Sequence, residues 1–276
     1  MEIPKVYIII LNYNGWKDTV ECLESVFRLD YPNYQVVVVD NASTDESFQV
    51  IKKWANGEID VWLLKDNPLR NLVYPPVKKP IPLECLDGKK FEKTQCIVRN
   101  MPDIGGVNTT TKEPLIIIQS MENLGYAGGN NLGIKYALCK NDFDYIWILN
   151  NDTVVTKDAL KELVSCAKHK KEKSYPLGSV LLYYDKPNTI QAVGGRFSNF
   201  VGAGSHIFAG EKFTQKIKEK IKKLKIDYPV GASLFISKKF IKEVGLLDED
   251  YFIYFEEIDL SYRGKNFGYS PNICTE

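Results

Sequence analysis

The sequence predicts an α/β fold built on a doubly wound, mostly parallel central sheet flanked by helices, and three observations carry that prediction. Residues 6–11, 36–39, 115–118 and 145–149 are continuous apolar runs, as strands covered on both faces require. Stretches with apolar residues at helical spacing separate them. Several of the strands end in polar clusters, which places ligand-competent groups at the carboxyl edge of an open sheet.

The first strand breaks at Asn12-Tyr13-Asn14-Gly15, and residues 18–29 then set Val20, Leu23, Val26 and Phe27 on one helical face. Tyr31-Pro32-Asn33 is a turn. The second strand ends in Asp40-Asn41-Ala42-Ser43-Thr44-Asp45, and a helix starting near Ser43 carries Phe48, Ile51 and Trp54. Val61-Trp62-Leu63-Leu64 reads as a third strand. Residues 66–114 break the rhythm with Pro68, Pro75, Pro76, Pro80, Pro82 and Pro102. A structureless loop of that length is unusual inside a compact domain, so the segment reads as an insertion, with Cys96-Ile97-Val98 in a small β-rich lobe.

After the strand at 115–118 comes a glycine-rich run from Asn123 through Gly125, Gly128, Gly129, Asn130 and Asn131 to Gly133. It permits close approach of backbone to a ligand, and a helix opens at its end; a tight helix-entry turn reads equally well. No GxGxxG follows the first strand and no GxxxxGK[ST] occurs, which excludes a dinucleotide or P-loop site. The strand at 145–149 runs into Asn150-Asn151-Asp152-Thr153. Oxygen ligands without convergent Cys or His suit Mg²⁺ or Mn²⁺, and Asp152 is the candidate metal ligand. The same residues also suit a strand-ending turn.

In the last third, residues 230–236 are apolar around Gly231-Ala232, and 240–247 have the spacing of a short helix ending near Gly245. Asp248 to Arg263 then crowds carboxylates against aromatic rings. Burial there raises a carboxyl pKa, which suits Glu256 and Glu257 to general-base work; the other reading is acids complementing a helix dipole. Asp259 and Arg263 have the spacing of a helical ion pair. Residues 211–225 set Phe213, Ile217, Ile221 and Leu224 on one face of a lysine-rich helix. That pattern allows a peripheral membrane contact, while a solvated helix docked on the core is the favoured reading, since such stripes are the norm for surface helices.

Composition removes other classes. With 36 basic and 35 acidic residues in 276, no general nucleic-acid binder is indicated. Six cysteines without CxxC spacing and two histidines exclude a zinc site and, with no signal peptide, fit a reduced cytoplasmic protein. Residues 8–11 are too short an apolar run to span a membrane.

Taken in order, Asn12-Tyr13-Asn14-Gly15, Val39-Asp40-Asn41-Ala42-Ser43-Thr44-Asp45, Asn123 to Asn131, Leu149-Asn150-Asn151-Asp152, Gly231-Ala232 and Phe252 to Arg263 resemble the family 2 glycosyltransferases, and within them the rhamnosyltransferase-like enzymes. The resemblance covers nearly the whole chain outside the insertion. It implies the GT-A fold as a single domain: a nucleotide-binding half over about 1–152, interrupted by the 66–114 insertion, and an acceptor-binding half over about 153–276.

The resemblance also implies roles. Asn12, Tyr13, Asn14, Asp40, Asn41, Asn123, Gly125, Asn130, Asn150 and Asn151 would line the donor site, with Tyr13 against the base and Asp40 on the base or ribose. Asn150-Asn151-Asp152 stands where the family carries Asp-x-Asp, so Asp152 would hold Mg²⁺ or Mn²⁺ as the single carboxylate. Gly231 and Ala232 would touch the acceptor, Glu257 would be the catalytic base and Glu256 would orient the acceptor. The implied reaction is inverting transfer from a nucleotide-diphosphate sugar, dTDP-rhamnose or a UDP-sugar, to a hydroxyl of a glycan or lipid-linked glycan. The implied location is the cytoplasm or the inner face of the cell membrane. Family members continue past Gly268-Tyr269 to a metal-binding histidine and further helices, so a chain ending at Glu276 reads as C-terminally truncated. Two rivals remain: a sugar-nucleotide pyrophosphorylase, which needs a basic glycine-rich loop after the first strand, and a non-catalytic nucleotide-sugar-binding module.

Overall fold

Burial on both faces turns the apolar runs into strands of one sheet. The computed structural model describes residues 2–89, 113–170, 172–198, 200 and 202–275. In chain order the N-terminal part supplies β1 (Val6–Asn12), α1 (Trp16–Val26), β2 (Tyr34–Asp40), α2 (Ser47–Asn56), a short α3 (Arg70–Val73), β3 (Leu83–Asp87), β4 (Leu115–Gln119), α4 (Gly125–Lys140) and β5 (Tyr145–Asn150). Then come α5 (Ala159–His169), β6 (Leu177–Ser179), β7 (Leu181–Leu182), β8 (Ile190–Ala192), β9 (Gly195–Ser198), β10 (Ala203–His206), α6 (Gln215–Ile221), β11 (Ser233–Ser237), α7 (Lys238–Val244), α8 (Glu256–Asn266) and β12 (Asn272–Cys274).

The main sheet has eight strands in the order β12-β6-β11-β5-β1-β2-β4-β3. From β5 to β3 every neighbouring pair is parallel, while β11 runs antiparallel to both β5 and β6. The register aligns the carboxyl ends: Asn12 lies beside Asp40, Asp40 beside Gln119, and Leu11 beside Asn150. The polar clusters that end these strands therefore meet along one edge. Two small hairpins, β7–β8 and β9–β10, stand apart from the main sheet.

The glycines of α4 serve packing. A side chain at Gly129 would press within 2.4 Å of a Leu11 methyl, and one at Gly133 within 2.6 Å of an Ile9 methyl. Removing Cβ at these positions lets the helix lie close on the sheet.

One expectation is corrected, and the favoured reading of another segment is what the structure shows. Residues 61–64 form no strand; Trp62 is 82% exposed and the edge position is taken by β3. The segment Leu-Glu-Cys-Leu-Asp hides its strand because an edge strand keeps polar residues on its open side. Second, the apolar stripe of 211–225 is spent inside the protein. Ile217 and Ile221 are buried with Ile190, Val193, Ile226 and Ile273, and Phe213 and Leu224 pack on the same cluster. The outward face of that segment is polar, with Lys212, Gln215, Lys216, Glu219, Lys220, Lys222 and Lys223 exposed, as a solvated helix docked on the core requires. The expected lobe around Cys96-Ile97-Val98 lies outside the described residues. No described helix is long and apolar enough to cross a membrane.

The proline-rich segment is anchored by a buried acid. Glu24 on α1 is fully buried and accepts hydrogen bonds from Trp54 Nε1 at 2.9 Å, Val77 N at 2.8 Å and Lys79 Nζ at 2.9 Å. Arg28, one turn on, stands 3.7 Å from the same carboxylate. Each donor satisfies part of a charge that would otherwise be costly in the interior.

Candidate active site

The parallel strands deliver Asn12, Asp40 and Asn150 to the same edge. Asp40 is fully buried; its Oδ1 accepts from Asn12 Nδ2 at 2.9 Å and from Ser43 Oγ at 2.6 Å, while its Oδ2 has no partner. Asn12, also fully buried, accepts from Thr19 Oγ1 at 2.8 Å. Asn12 thus props the carboxylate, whose second oxygen is a buried acceptor without a partner. Tyr13, next along, is 45% exposed beside this anchor.

Several predicted donor-site amides spend themselves on the protein. Asn14 Oδ1 accepts from Thr44 N at 2.8 Å and Asp45 N at 3.2 Å, stapling the loop after β1 to the loop after β2. Asn41 is buried; it donates to Asn123 Oδ1 at 2.9 Å and Gly125 O at 3.1 Å and accepts from Leu124 N at 3.0 Å. Asn123 Oδ1 also accepts from Gly125 N at 2.9 Å. Asn151 turns to α1, donating to Thr19 Oγ1 at 3.0 Å. These hydrogen bonds tie the loops of the edge to one another. Asn130 differs: buried, it donates to Tyr126 O at 3.0 Å and leaves Oδ1 without a partner.

Gly125 sits at φ +68°, where a side chain is strained, and a Cβ there would meet Phe252 O at 2.3 Å. The next residue, Tyr126, donates its backbone N–H to Phe252 O at 2.6 Å. Its hydroxyl lies 3.1 Å from Asn150 Oδ1 and 2.9 Å from Gly231 O, sharing one proton between them. Burial, and then the charges of Glu256, Glu257 and Asp152, push this phenol well above its usual range, so it stays protonated. The sequence reading missed Tyr126; an aromatic residue inside the glycine run was the available signal. Asn150 N donates to Ala232 O at 3.0 Å, so Gly231 and Ala232 brace the Asn150 turn through their carbonyls.

Asp152 is exposed at the tip of that turn. Asp18, in the first turn of α1, was also missed; its carboxyl is raised by burial and then by the charge of Asp152. Among the described residues no group of three or more His, Cys, Asp or Glu side chains forms a metal cage. An exposed carboxylate with an acid close by still fits a divalent ion that takes most of its ligands from substrate phosphates and water.

Glu256 and Glu257 open α8, and each has one side-chain oxygen that is buried without a partner. Burial, reinforced by Glu257, pushes the Glu256 carboxyl up to about 7, and burial raises Glu257 as well. A carboxylate with a raised pKa is a stronger base and is matched to proton transfer near neutrality. A Cβ on Gly231 would lie 3.9 Å from Glu256 Oε1 and 3.9 Å from Glu257 Cβ, which places the pair beside the Tyr126–Gly231 contact. Before the pair, Tyr254 and Phe255 adopt left-handed φ values of 72° and 74°, and Phe252, Ile253 and Tyr254 stand exposed. Arg263 returns to Asp259 at 2.6 Å, the expected ion pair, and donates to Val244 O and Leu246 O at the end of α7.

Comparison with known proteins finds likenesses among glycosyltransferases. The hexosyltransferase Agl10 of low-salt glycan biosynthesis in Haloferax volcanii is 28% identical over 158 residues, 57% of this chain and 48% of that protein. The rhamnosyltransferase WbbL of Escherichia coli K12 is 26% identical over 147 residues, 50% of this chain and 53% of its own length. The chain spans about half the length of these relatives. Among solved structures, the mannosyltransferase PcManGT of Pyrobaculum calidifontis, in complex with GDP-Man and Mn²⁺, superposes with a TM-score of 0.56 at 15% identity, covering 99% of this chain and 57% of that one. The fold is thus that of the GT-A glycosyltransferases. The model of glycosyl transferase family 2 matches residues 7–68 and 108–245, stepping over the proline-rich segment. With well over half of its residues matched, the chain belongs to glycosyl transferase family 2.

Proposed function

We propose that this chain transfers a sugar from a nucleoside-diphosphate donor to a hydroxyl of a glycan or lipid-linked glycan acceptor, with inversion at the anomeric carbon. The observation that carries the reading is the carboxylate pair Glu256–Glu257, raised in pKa and held beside the turn that presents Asp152. The acceptor oxygen bonds to C1 as the bond from C1 to the diphosphate breaks. The acceptor proton passes to Glu257, the less deeply buried of the pair, and the diphosphate leaves. Glu256, 5% exposed, orients the acceptor from beneath. Gly231 and Ala232 keep the acceptor side free of bulk.

Asp152 would hold Mg²⁺ or Mn²⁺, which when bound offsets the negative charge growing on the leaving diphosphate. The PcManGT complex holds Mn²⁺ together with GDP-Man, which supports a divalent ion here. Asp40 would accept an N–H of the donor base or an O–H of its ribose, its Oδ2 having no partner within the protein. The donor in this reading is a UDP-sugar or dTDP-rhamnose, a rhamnosyl donor being in keeping with the likeness to the rhamnosyltransferase WbbL.

Incubation with a panel of nucleotide sugars and Mn²⁺ or Mg²⁺ tests the reading. Release of nucleoside diphosphate from a UDP- or dTDP-sugar is the expected result. Binding with no release from any donor, in the presence of glycan acceptors, would instead support a binding module.

A further inference from the structure

Tyr126 stands where the two halves of the site meet. Its hydroxyl lies 3.1 Å from Asn150 Oδ1, on the turn that presents Asp152, and 2.9 Å from Gly231 O, beside the Glu256–Glu257 pair. A phenol has one proton, and this one keeps it among the charges of Glu256, Glu257 and Asp152. One donor therefore serves two acceptors, and at any moment one of them goes without. The hydroxyl has two states, both within hydrogen-bond distance: proton on Asn150, which braces the turn, or proton on Gly231, which braces the approach to β11. The surroundings hold the residue itself still. Gly125 leaves no room for a side chain against Phe252, and the Tyr126 N–H is bonded to Phe252 O at 2.6 Å. Only the proton is left to choose.

We propose that Tyr126 is a positioning residue whose hydroxyl proton carries occupancy of the donor side to the acceptor side; the proposal rests on the transferase reading of the site. A donor hydroxyl that donates to Asn150 Oδ1 satisfies that acceptor, and the Tyr126 proton then goes wholly to Gly231 O. The carbonyl beside Glu256 and Glu257 is thereby fixed when the donor site fills. The reverse follows by reciprocity: a group that donates to Gly231 O sends the proton to Asn150 and steadies the turn that carries Asp152. Such coupling requires a two-state element that both sides bias, and one proton between two acceptors is such an element. Burial strengthens it, because an acceptor without a partner costs more in the interior than in water. The backbone extends the effect. Phe252 O is held by the Tyr126 N–H, so the loop that leads into Glu256 rests on the same residue.

Tyr126→Phe removes the proton and keeps the ring and the N–H to Phe252. Hydrogen–deuterium exchange with mass spectrometry reads the result on the full chain, with UDP and Mn²⁺ as the probes. In the wild type, saturating UDP with Mn²⁺ should slow amide exchange across residues 251–257 about fivefold, the low end of ordinary coupling between sites. In Tyr126→Phe, UDP should still raise the melting temperature while the slowing at residues 251–257 disappears. A residue that only supports the fold would raise exchange there equally with and without UDP. A UDP-dependent slowing that persists in Tyr126→Phe therefore overturns the proposal. UDP binding that leaves residues 251–257 unchanged in the wild type overturns it too, and the transferase reading survives both results. Asn150→Ala leaves the hydroxyl a single acceptor and carries the same test with the tyrosine intact. It should also abolish the slowing, the double variant should lose nothing further, and slowing retained in Asn150→Ala sinks the proposal. If UDP with Mn²⁺ does not bind the wild type, the donor site and this proposal fail together.

Discussion

Asn12 Nδ2 donates to Asp40 Oδ1 at 2.9 Å and leaves Oδ2 of the same buried carboxylate without a partner. A buried acceptor left open in a well-bonded setting is costly unless something arrives to use it. Here Ser43 fixes one oxygen and so aims the other.

Asp40→Asn converts an acceptor into a possible donor at the one open position while keeping its size. UDP affinity should fall roughly ten- to a hundredfold, the cost of one unmet charge-assisted hydrogen bond, with little change in folding. Isothermal titration with UDP and Mn²⁺ checks it. Wild-type affinity would remove Asp40 from the donor site.

Glu257→Gln should lower transfer by about 10²- to 10⁴-fold, the usual contribution of a general base, and leave donor affinity nearly intact. The check is turnover and UDP binding measured on the same preparation. Glu256→Gln should lose less turnover and show a raised acceptor KM. If the two effects exchange places, the base is Glu256.

The raised Glu256 carboxyl gives stability a pH slope of defined sign. Its folded-state value of about 7 lies above the ordinary 4.5, so the native protein keeps a proton that the unfolded chain releases. Its stabilising contribution is complete below 4.5 and is lost as pH rises through about 7. Urea midpoints should therefore fall across that window in the wild type. Glu256→Gln should flatten the fall and be the more stable form above neutrality.

Glu24→Ala should cost about 3–5 kcal/mol, the range for removing one partner of a buried ion pair, because Lys79, only 7% exposed at its side chain, loses its buried counter-charge. Chemical denaturation reads the loss. Trp54, whose indole N–H also loses its acceptor, should report it as a fluorescence change.

How much of this was legible in the chain depended on what each residue type signals. The strands at 6–11, 36–39, 115–118 and 145–149 were readable because burial on both faces leaves no ambiguity in an unbroken apolar run. Edge strand β3 was not, since Leu83, Cys85 and Leu86 share their five positions with two acids. Trp62 misled because hydrophobicity alone does not reveal whether a partner strand exists beside it. In the site, carboxylates were more legible than amides. Asp40 and Glu256 each keep a buried oxygen without a partner, whereas Asn14, Asn41 and Asn151 have both donor and acceptor groups and spend them on neighbouring loops. Tyr126 escaped because its importance comes from contacts with Asn150, Gly231 and Phe252, each far away in sequence.

Those contacts have a kinetic meaning. The backbone of Tyr126 holds the aromatic loop at Phe252, and its side chain holds the turn that carries Asp152. On the proposed reading, in which the loop meets the acceptor and the turn faces the donor, Tyr126 links the two through its contacts with Phe252 and Asn150. One residue gripped from both sides acts as a lever, and a lever expresses itself in the sequence in which two substrates are admitted more than in the strength with which either is held.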